Sequence, residues 1–114
     1  MDKFIEFRID SLLKQISVIE NDLNNLTFDE FAKSDLLVRA TCFSISQIGE
    51  QMNKLETELK AKYPDLPWGA ARKMRNLIVH VYHRVDAKEV YETATKDLPI
   101  LKEQFLSIKK NIVA

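Results

Sequence analysis

The order of hydrophobic and polar positions along this chain is that of a series of amphipathic helices. The first stripe has spacings of three and four residues, the period that places side chains on one face of a helix. Six aliphatic residues form this stripe: Ile5, Ile9, Leu12, Leu13, Ile16 and Ile19. An asparagine-rich stretch follows at residues 21–25. We therefore expect the first helix to end near Asn21.

A second helical region opens at Thr27, whose hydroxyl stands three residues before Glu30 in the reciprocal capping pattern of a helix start. From Ser34 to about Lys62 the helical period continues without a proline. Eight positions keep this period: Leu37, Ala40, Thr41, Ile45, Ile48, Met52, Leu55 and Leu59. Gly49 within it costs roughly 1 kcal/mol relative to alanine, which indicates either a kink or the close approach of another helix.

Two prolines in the segment 63–68 end this long helix, because proline lacks the amide donor and restricts the residue before it. A third helix is expected over residues 68–84. Asp86, followed three residues later by Glu89, predicts the start of a fourth helix, which Pro99 interrupts or restarts. A last stripe, spaced by four, three and four residues, contains Leu101, Phe105, Ile108 and Ile112.

These elements predict an all-α protein, an up-and-down bundle of four to five helices that forms one domain over residues 1–114. Composition agrees, because 46% hydrophobic residues with 2 Gly and 3 Pro leave little material for a multi-stranded sheet. The 17 Lys and Arg are balanced by 17 Asp and Glu. The chain thus has no overall basic excess to bind a phosphate backbone, so any contact with RNA must depend on a local site.

Cysteine usage and hydropathy indicate where the protein works. The single Cys42 excludes an intramolecular disulfide and a zinc site made only of thiolates, which favours a reducing compartment. Charged residues interrupt every apolar run, so we expect no signal peptide and no membrane span. The sequence predicts a cytoplasmic protein.

The residues that carry potential chemistry lie in the segment 74–86, which contains both histidines of the chain. At about 100° per residue, four apolar side chains of this segment face the core: Met74, Ile78, Val81 and Val85. The opposite side collects five polar side chains: Arg75, Asn76, His80, Tyr82 and His83. His80 lies roughly 140° around the helix from Arg75. A second copy related by a two-fold axis could bring Arg75 of one chain near His80 of the other.

Such a set of side chains has the groups needed to cleave RNA without a metal ion. Histidine transfers protons near neutral pH, arginine holds two phosphate oxygens, and the ribose 2′-hydroxyl is the nucleophile. On spacing alone, a solvated or hydrogen-bonded helix face is the more frequent origin of this pattern. A metal site built on His80 and His83 lacks a full ligand set, since only Asp86 follows them and no cysteine is near.

The segment resembles the HEPN superfamily and, within it, the small HepT-like proteins encoded beside minimal nucleotidyltransferases. The signature of that group is Arg, four residues, His, one residue and Tyr, and it is matched here by Arg75, His80 and Tyr82. Asn76 supplies the polar residue that commonly follows the arginine. Four other blocks resemble the family in order and spacing, at residues 48–50, 63–68, 85–86 and 97–101, so the similarity covers nearly the whole chain.

The resemblance implies a homodimeric HEPN bundle that acts as the toxin of a toxin–antitoxin pair, a metal-independent endoribonuclease that needs no cofactor. Arg75 would stabilise the phosphate and His80 would transfer protons. Asn76 would support one of these two residues. Tyr82 would receive AMP from a cognate MntA-type nucleotidyltransferase antitoxin. The alternative is a non-catalytic HEPN binding module that docks with such an enzyme and is modified by it. A stand-alone helical scaffold is a weaker alternative.

Two positions depart from the family pattern, and two others are possible accessory residues. Val81 stands where the family often has glycine, and Leu77 stands where a second basic residue is frequent. His83 is either a second proton carrier or a residue at the rim of the cleft. Glu50, next to Gly49, is expected to pair with Arg75 in an ion pair that is more structural than catalytic.

Overall fold

The computed structural model describes residues 3–77 and 86–113. Every element in these ranges is helical, and none of them is a strand, so the all-α prediction is confirmed. The helices are α1 (Lys3–Leu23), α2 (Phe28–Lys33), α3 (Asp35–Leu59), α4 (Trp68–Asn76), α5 (Ala87–Glu92) and α6 (Leu98–Val113). A π-helical turn, Thr93–Asp97, joins α5 to α6 without a break. Counted as one, α5 and α6 give five helical segments in the described ranges.

The turn between α1 and α2 follows from its polar residues. Asn25 has a φ of 63°, a left-handed conformation that asparagine adopts more readily than most residues. The Thr27 hydroxyl accepts a hydrogen bond from the amide of Glu30 at 3.2 Å, and the Glu30 carboxylate accepts one from the amide of Thr27 at 3.0 Å. These bonds lower the pKa of Glu30. The predicted capping box is confirmed, whereas α1 ends at Leu23 rather than near Asn21.

Helix α3 begins directly after Ser34, whose hydroxyl accepts a hydrogen bond from the amide of Leu37 at 3.1 Å. It ends at Leu59, a little before the predicted Lys62, and it is a single helix through Gly49. Trp68 is buried in the core, and its indole nitrogen donates to the carbonyl of Tyr63 at 3.0 Å. This bond fixes the loop between α3 and α4 against the core.

The core is formed by the apolar stripes predicted from the sequence. The largest fully buried side chains come from α1, α2, α3 and α6: Phe31, Phe105, Ile9, Leu12, Ile16, Ile19, Ile45, Ile48, Met52, Leu55, Leu59 and Leu98. At the surface, two ion pairs join α1 to α6 in antiparallel orientation. Lys102 lies 2.9 Å from Glu20, and Lys109 lies 2.5 Å from Asp10. The hydrogen bond to Asp10 raises the pKa of Lys109.

The interruption or restart predicted at Pro99 is absent, because a π-helical turn accommodates the proline and the chain stays helical from Ala87 to Val113. The amide of Leu98 donates to the carbonyl of Thr93, five residues earlier, which is the hydrogen bond of a π-helical turn. The hydroxyl of Thr95 donates to the carbonyl of Tyr91 at 2.8 Å. Proline in a regular α-helix would press its ring against the carbonyl four residues before it. The wider turn before Pro99 relieves that contact and keeps the chain helical.

No helix within the described ranges is long and apolar enough to cross a membrane.

Candidate functional site

The predicted site divides between described and undescribed residues. Helix α4 contains the first part of the motif segment, and Leu77 is its C-cap residue, whose amide donates to the carbonyl of Met74. Arg75 and Asn76 of the motif lie in the described ranges, as does Glu50. The rest of the predicted third helix lies outside them, together with three predicted site residues: His80, Tyr82 and His83.

Helices α3 and α4 meet at Gly49 with almost no space between their backbones. A Cβ atom added to Gly49 would lie 2.5 Å from the amide nitrogen of Arg75 and 2.6 Å from the carbonyl oxygen of Ala71. It would also lie 2.9 Å from the Cβ of Met74. Real side chains are not found at such distances from backbone atoms. The close approach predicted as one of two roles for Gly49 is therefore confirmed.

Because of this contact, Arg75 has a fixed backbone and a partly accessible side chain. Its amide nitrogen packs on Gly49, while its side chain is half-buried at the edge of the α3–α4 contact. None of the ion pairs within residues 3–77 and 86–113 includes Arg75. Asn76, the next residue, is exposed. A guanidinium that is partly accessible and has no ion pair within the described ranges is suited to receive an anion such as a phosphate.

The expected ion pair between Glu50 and Arg75 is wrong. Glu50 pairs instead with Lys54, one turn later on the same helix, at 4.0 Å. The reason is rotational: Gly49 faces α4, and Glu50 follows it by about 100° around α3, which turns the carboxylate away from Arg75. Glu50 thus belongs to an exposed pair along α3.

The apolar side of the motif segment is in the core as far as the structure describes it. Met74 is 6% exposed, and Leu77 packs against the core from a half-buried position. These positions confirm the predicted inward face for the first turns. The other residues expected on that face lie outside the described ranges: Ile78, Val81 and Val85.

The charge of α4 itself was not among the sequence predictions. Its nine residues include Arg72, Lys73 and Arg75 and no acidic residue. We call Arg72 and Arg75, which lie about 60° apart around the helix, the cationic face of α4; Arg72 and Lys73 are exposed and Arg75 is half-buried. A neutral total concealed this local excess. Net charge counted helix by helix, instead of over the whole chain, would have found it.

Two further features limit the chemistry of the described residues. Cys42 is buried, and its burial, with a smaller effect from Glu89, raises the pKa of the thiol. It is therefore a core residue and a poor nucleophile. No group of three or more His, Cys, Asp or Glu that could hold a metal ion occurs within residues 3–77 and 86–113.

Comparison with known proteins gives one consistent result. The family model described as ribonuclease HepT-like matches residues 12–108. The chain is 32% identical over 112 residues to "Gamma-glutamylcyclotransferase and putative RNase" of Methanocaldococcus jannaschii, a match that covers 98% of this chain and 50% of that protein. This chain therefore spans half the length of that relative.

Two other relatives match over most of both chains. A "Putative RNase" of the same organism is 31% identical over 101 residues, covering 89% of this chain and 84% of the relative. "Probable ribonuclease HepT" of Thermococcus cleftensis is 26% identical over 102 residues, covering 90% of this chain and 93% of the relative. No solved structure gives a significant match to this chain.

Proposed function

This chain belongs to the ribonuclease HepT-like family, and from that premise we propose that it is an endoribonuclease that cleaves RNA without a metal ion. The observation that carries the proposal is the match of a ribonuclease family model to residues 12–108, which include the motif Arg75, His80 and Tyr82. The names of the relatives, all of which include an RNase or ribonuclease, support the same activity.

The proposed reaction is a transesterification within the RNA strand. The ribose 2′-oxygen attacks the adjacent phosphorus and loses its proton to a base. The bond from phosphorus to the 5′-oxygen breaks, and that oxygen takes a proton from an acid. His80 exchanges these protons, since imidazole titrates near neutral pH. Arg75 binds the phosphate oxygens and stabilises the charge that develops on them, with Asn76 in support.

The geometry around Arg75 supports this assignment. Its backbone is fixed by the contact with Gly49, and its side chain is partly accessible. Within the described ranges no carboxylate neutralises it. Charge stabilisation is most effective where the donor is held in place before the substrate arrives. The contact with Gly49 fixes the backbone from which the Arg75 side chain extends, because an entire helix would have to move to displace it.

The active unit in this proposal is a homodimer. Arg75 and His80 diverge by roughly 140° on an ideal helix, so one copy splays them apart and two copies related by a two-fold axis bring them together. Helix α3 supplies a surface suited to a second copy. Leu36 is 74% exposed and Phe43 is 51% exposed, and these residues, seven apart, lie on one side of α3.

The regulatory part of the proposal concerns Tyr82. The chain is the toxin of a toxin–antitoxin pair, and a cognate MntA-type nucleotidyltransferase is the antitoxin. That enzyme joins the Tyr82 hydroxyl oxygen to the α-phosphate of ATP and releases pyrophosphate. The added phosphate would compete with RNA for Arg75 and repel the incoming strand. Modification therefore switches off cleavage by charge and bulk together.

Cleavage of a labelled RNA by the purified protein in EDTA is the direct test. We expect cleavage in the wild type and its loss, by at least 100-fold, in Arg75→Ala and His80→Ala. Lys14→Ala is the control, because Lys14 is an exposed cation of α1 that lies on a different helix from the proposed dimer surface. Inhibition of the wild type by EDTA would refute the metal-free mechanism, and equal activity of all variants would refute the assigned residues.

The regulatory claim has a separate test. The protein is expressed with and without a MntA-type nucleotidyltransferase and then weighed by mass spectrometry. AMP on Tyr82 only after co-expression supports the antitoxin claim. If AMP is added to a protein that never cleaves RNA, the chain is instead a binding module for that enzyme. If Tyr82 stays unmodified, the proposed switch is wrong.

A further inference from the structure

The cationic face of α4 extends beyond the residue already placed in the proposed site. Arg72 lies three residues before Arg75 and four before Asn76. Residues at these spacings are neighbours on a helix surface, with Cβ atoms about 5–6 Å apart. Arg72 is thus one turn from both described site residues, and it is exposed.

The stability of α4 does not account for this arrangement. Like charges one turn apart weaken a helix by a few tenths of a kcal/mol. The helix dipole favours cations only in the last turn. This effect accounts for Lys73 and Arg75, which lie in that turn, but does not account for Arg72.

Four basic side chains in the described ranges are held in ion pairs, while the others, like Arg72, are not. Arg39 pairs with Asp35 at 3.1 Å, and Lys102 pairs with Glu20 at 2.9 Å. No recorded ion pair in those ranges includes any member of the cationic face of α4. Three cations in one helix, without acidic partners, leave a local positive field on a chain that is neutral overall.

The two sides of α4 also differ in charge. A groove between α4 and α6 is lined by Ala70 and Met74 from α4, and the carboxylates of Asp65 and Asp97 lie along it. At 100° per residue, Arg72 is on the side of α4 opposite this groove. A polyanion is therefore repelled from the groove and attracted to the side that carries Arg72 and Arg75.

We infer that Arg72 is a substrate-binding residue that holds the RNA phosphate next to the one bound by Arg75. The inference rests on the proposed function and deepens it. Arg72 contributes to the capture and register of the strand, whereas Arg75 acts on the phosphate that reacts.

The test compares Arg72→Gln with Lys14→Gln, which removes an exposed cation of α1, in cleavage and in binding. We expect Arg72→Gln to raise KM by roughly 3- to 10-fold, the worth of one exposed charge-assisted hydrogen bond, and to leave kcat within about twofold. Binding is measured with a 2′-O-methyl oligonucleotide, which has no free hydroxyl to attack. For a single strand, losing one phosphate contact lowers the slope of log K against log salt by about 0.7. Arg72→Lys should keep that slope.

The outcomes separate the inference from the proposed function. If the wild type cleaves RNA and Arg72→Gln matches Lys14→Gln in KM and salt slope, the role of Arg72 is refuted and the ribonuclease stands. If the wild type binds RNA through Arg72 but never cleaves it, the ribonuclease is refuted and the binding role stands. A fall in kcat alone would also refute the binding role. Circular dichroism checks that each exposed substitution leaves the helices intact.

Discussion

Two helix contacts in this bundle are made in opposite ways. Helix α4 meets α3 backbone against backbone at Gly49, where an added Cβ would lie 2.5 Å from the amide of Arg75. Helix α6 meets α1 through buried apolar side chains in the core and through two ion pairs at the surface. In one of these pairs, Lys102 lies 2.9 Å from Glu20. The first contact is decided by the absence of a side chain and the second by the presence of charged ones.

This difference separates a contact that sets a position from one that tolerates change. Backbone atoms are stiff, so a methyl group at Gly49 moves a whole helix and with it Arg75. Exposed lysine and glutamate side chains are flexible, and water replaces either partner at small cost. The contact that carries the candidate site is the stiff one. Substitutions should therefore act unequally at the two contacts.

The largest effect is expected from Gly49→Ala. The added methyl group overlaps Arg75 and Ala71, and overpacking of this kind lowers the free energy of unfolding by about 3 kcal/mol. Gly69→Ala in α4 is the matched control, because a Cβ there meets nothing within 4 Å. Alanine favours helix, so Gly69→Ala should stabilise by up to about 1 kcal/mol. Urea unfolding of both variants tests the contrast, and similar values would contradict a stiff α3–α4 contact.

Cys42 reports on the same contact from within α3. Its burial raises the pKa of the thiol, so Ellman's reagent should react only when the structure opens. If Gly49→Ala lowers the opening free energy as expected, labelling should be about 100-fold faster in that variant. Lys102→Met should label at nearly the wild-type rate. Rapid labelling of the native wild type would show that α3 is not protected.

A smaller effect is expected at the α1–α6 contact. Lys102→Met keeps the apolar part of the side chain and removes its charge, so it should cost about 0.2–1 kcal/mol, the usual worth of an exposed ion pair. Its control is Lys110→Met, an exposed lysine of the same helix. Any difference between the two should shrink in 1 M salt, which screens surface charges. A loss as large as that of Gly49→Ala would overturn the comparison.

The smallest effect concerns pH. The hydrogen bond to Asp10 raises the pKa of Lys109 above its ordinary value of 10.5. A raised pKa in the folded state means that this stabilisation is fully present below pH 10.5 and is lost as the pH rises through the folded value. The Tm of Lys109→Met should therefore lie slightly below that of the wild type at pH 8. The two Tm values should converge once the pH exceeds the pKa of Lys109 in the folded state. A constant difference at all pH values would exclude this pair as its origin.

The sequence predicted those parts of the fold that depend on local rules. The Thr27 capping box and the buried stripes follow from spacing and side-chain type, and the structure confirms them. The assignment of Glu50 failed because adjacency along a chain says little about direction: the residue after Gly49 is turned about 100° away from α4. Periodicity does not report which face of one helix meets another.

The candidate site was predictable only in part, for a related reason. The motif identified Arg75, but the choice between a kink and a close approach at Gly49 required the position of α4. The charge of α4 was visible in the sequence and was hidden by a neutral total. The placement of His80 and Tyr82 relative to Arg75 remains a prediction, since those residues lie outside the described ranges.

The π-helical turn before Pro99 has a consequence for insertions and deletions. A turn that takes one extra residue is equivalent to a single insertion into an ordinary helix, and it keeps Val90, Ala94 and Leu98, spaced by four, buried together. Deleting one exposed residue such as Lys96 would restore regular winding and press Pro99 against the preceding turn. Deletion and Pro99→Ala are thus coupled changes. Either change by itself disturbs this helix. The two changes together give a regular α-helix that is one residue shorter.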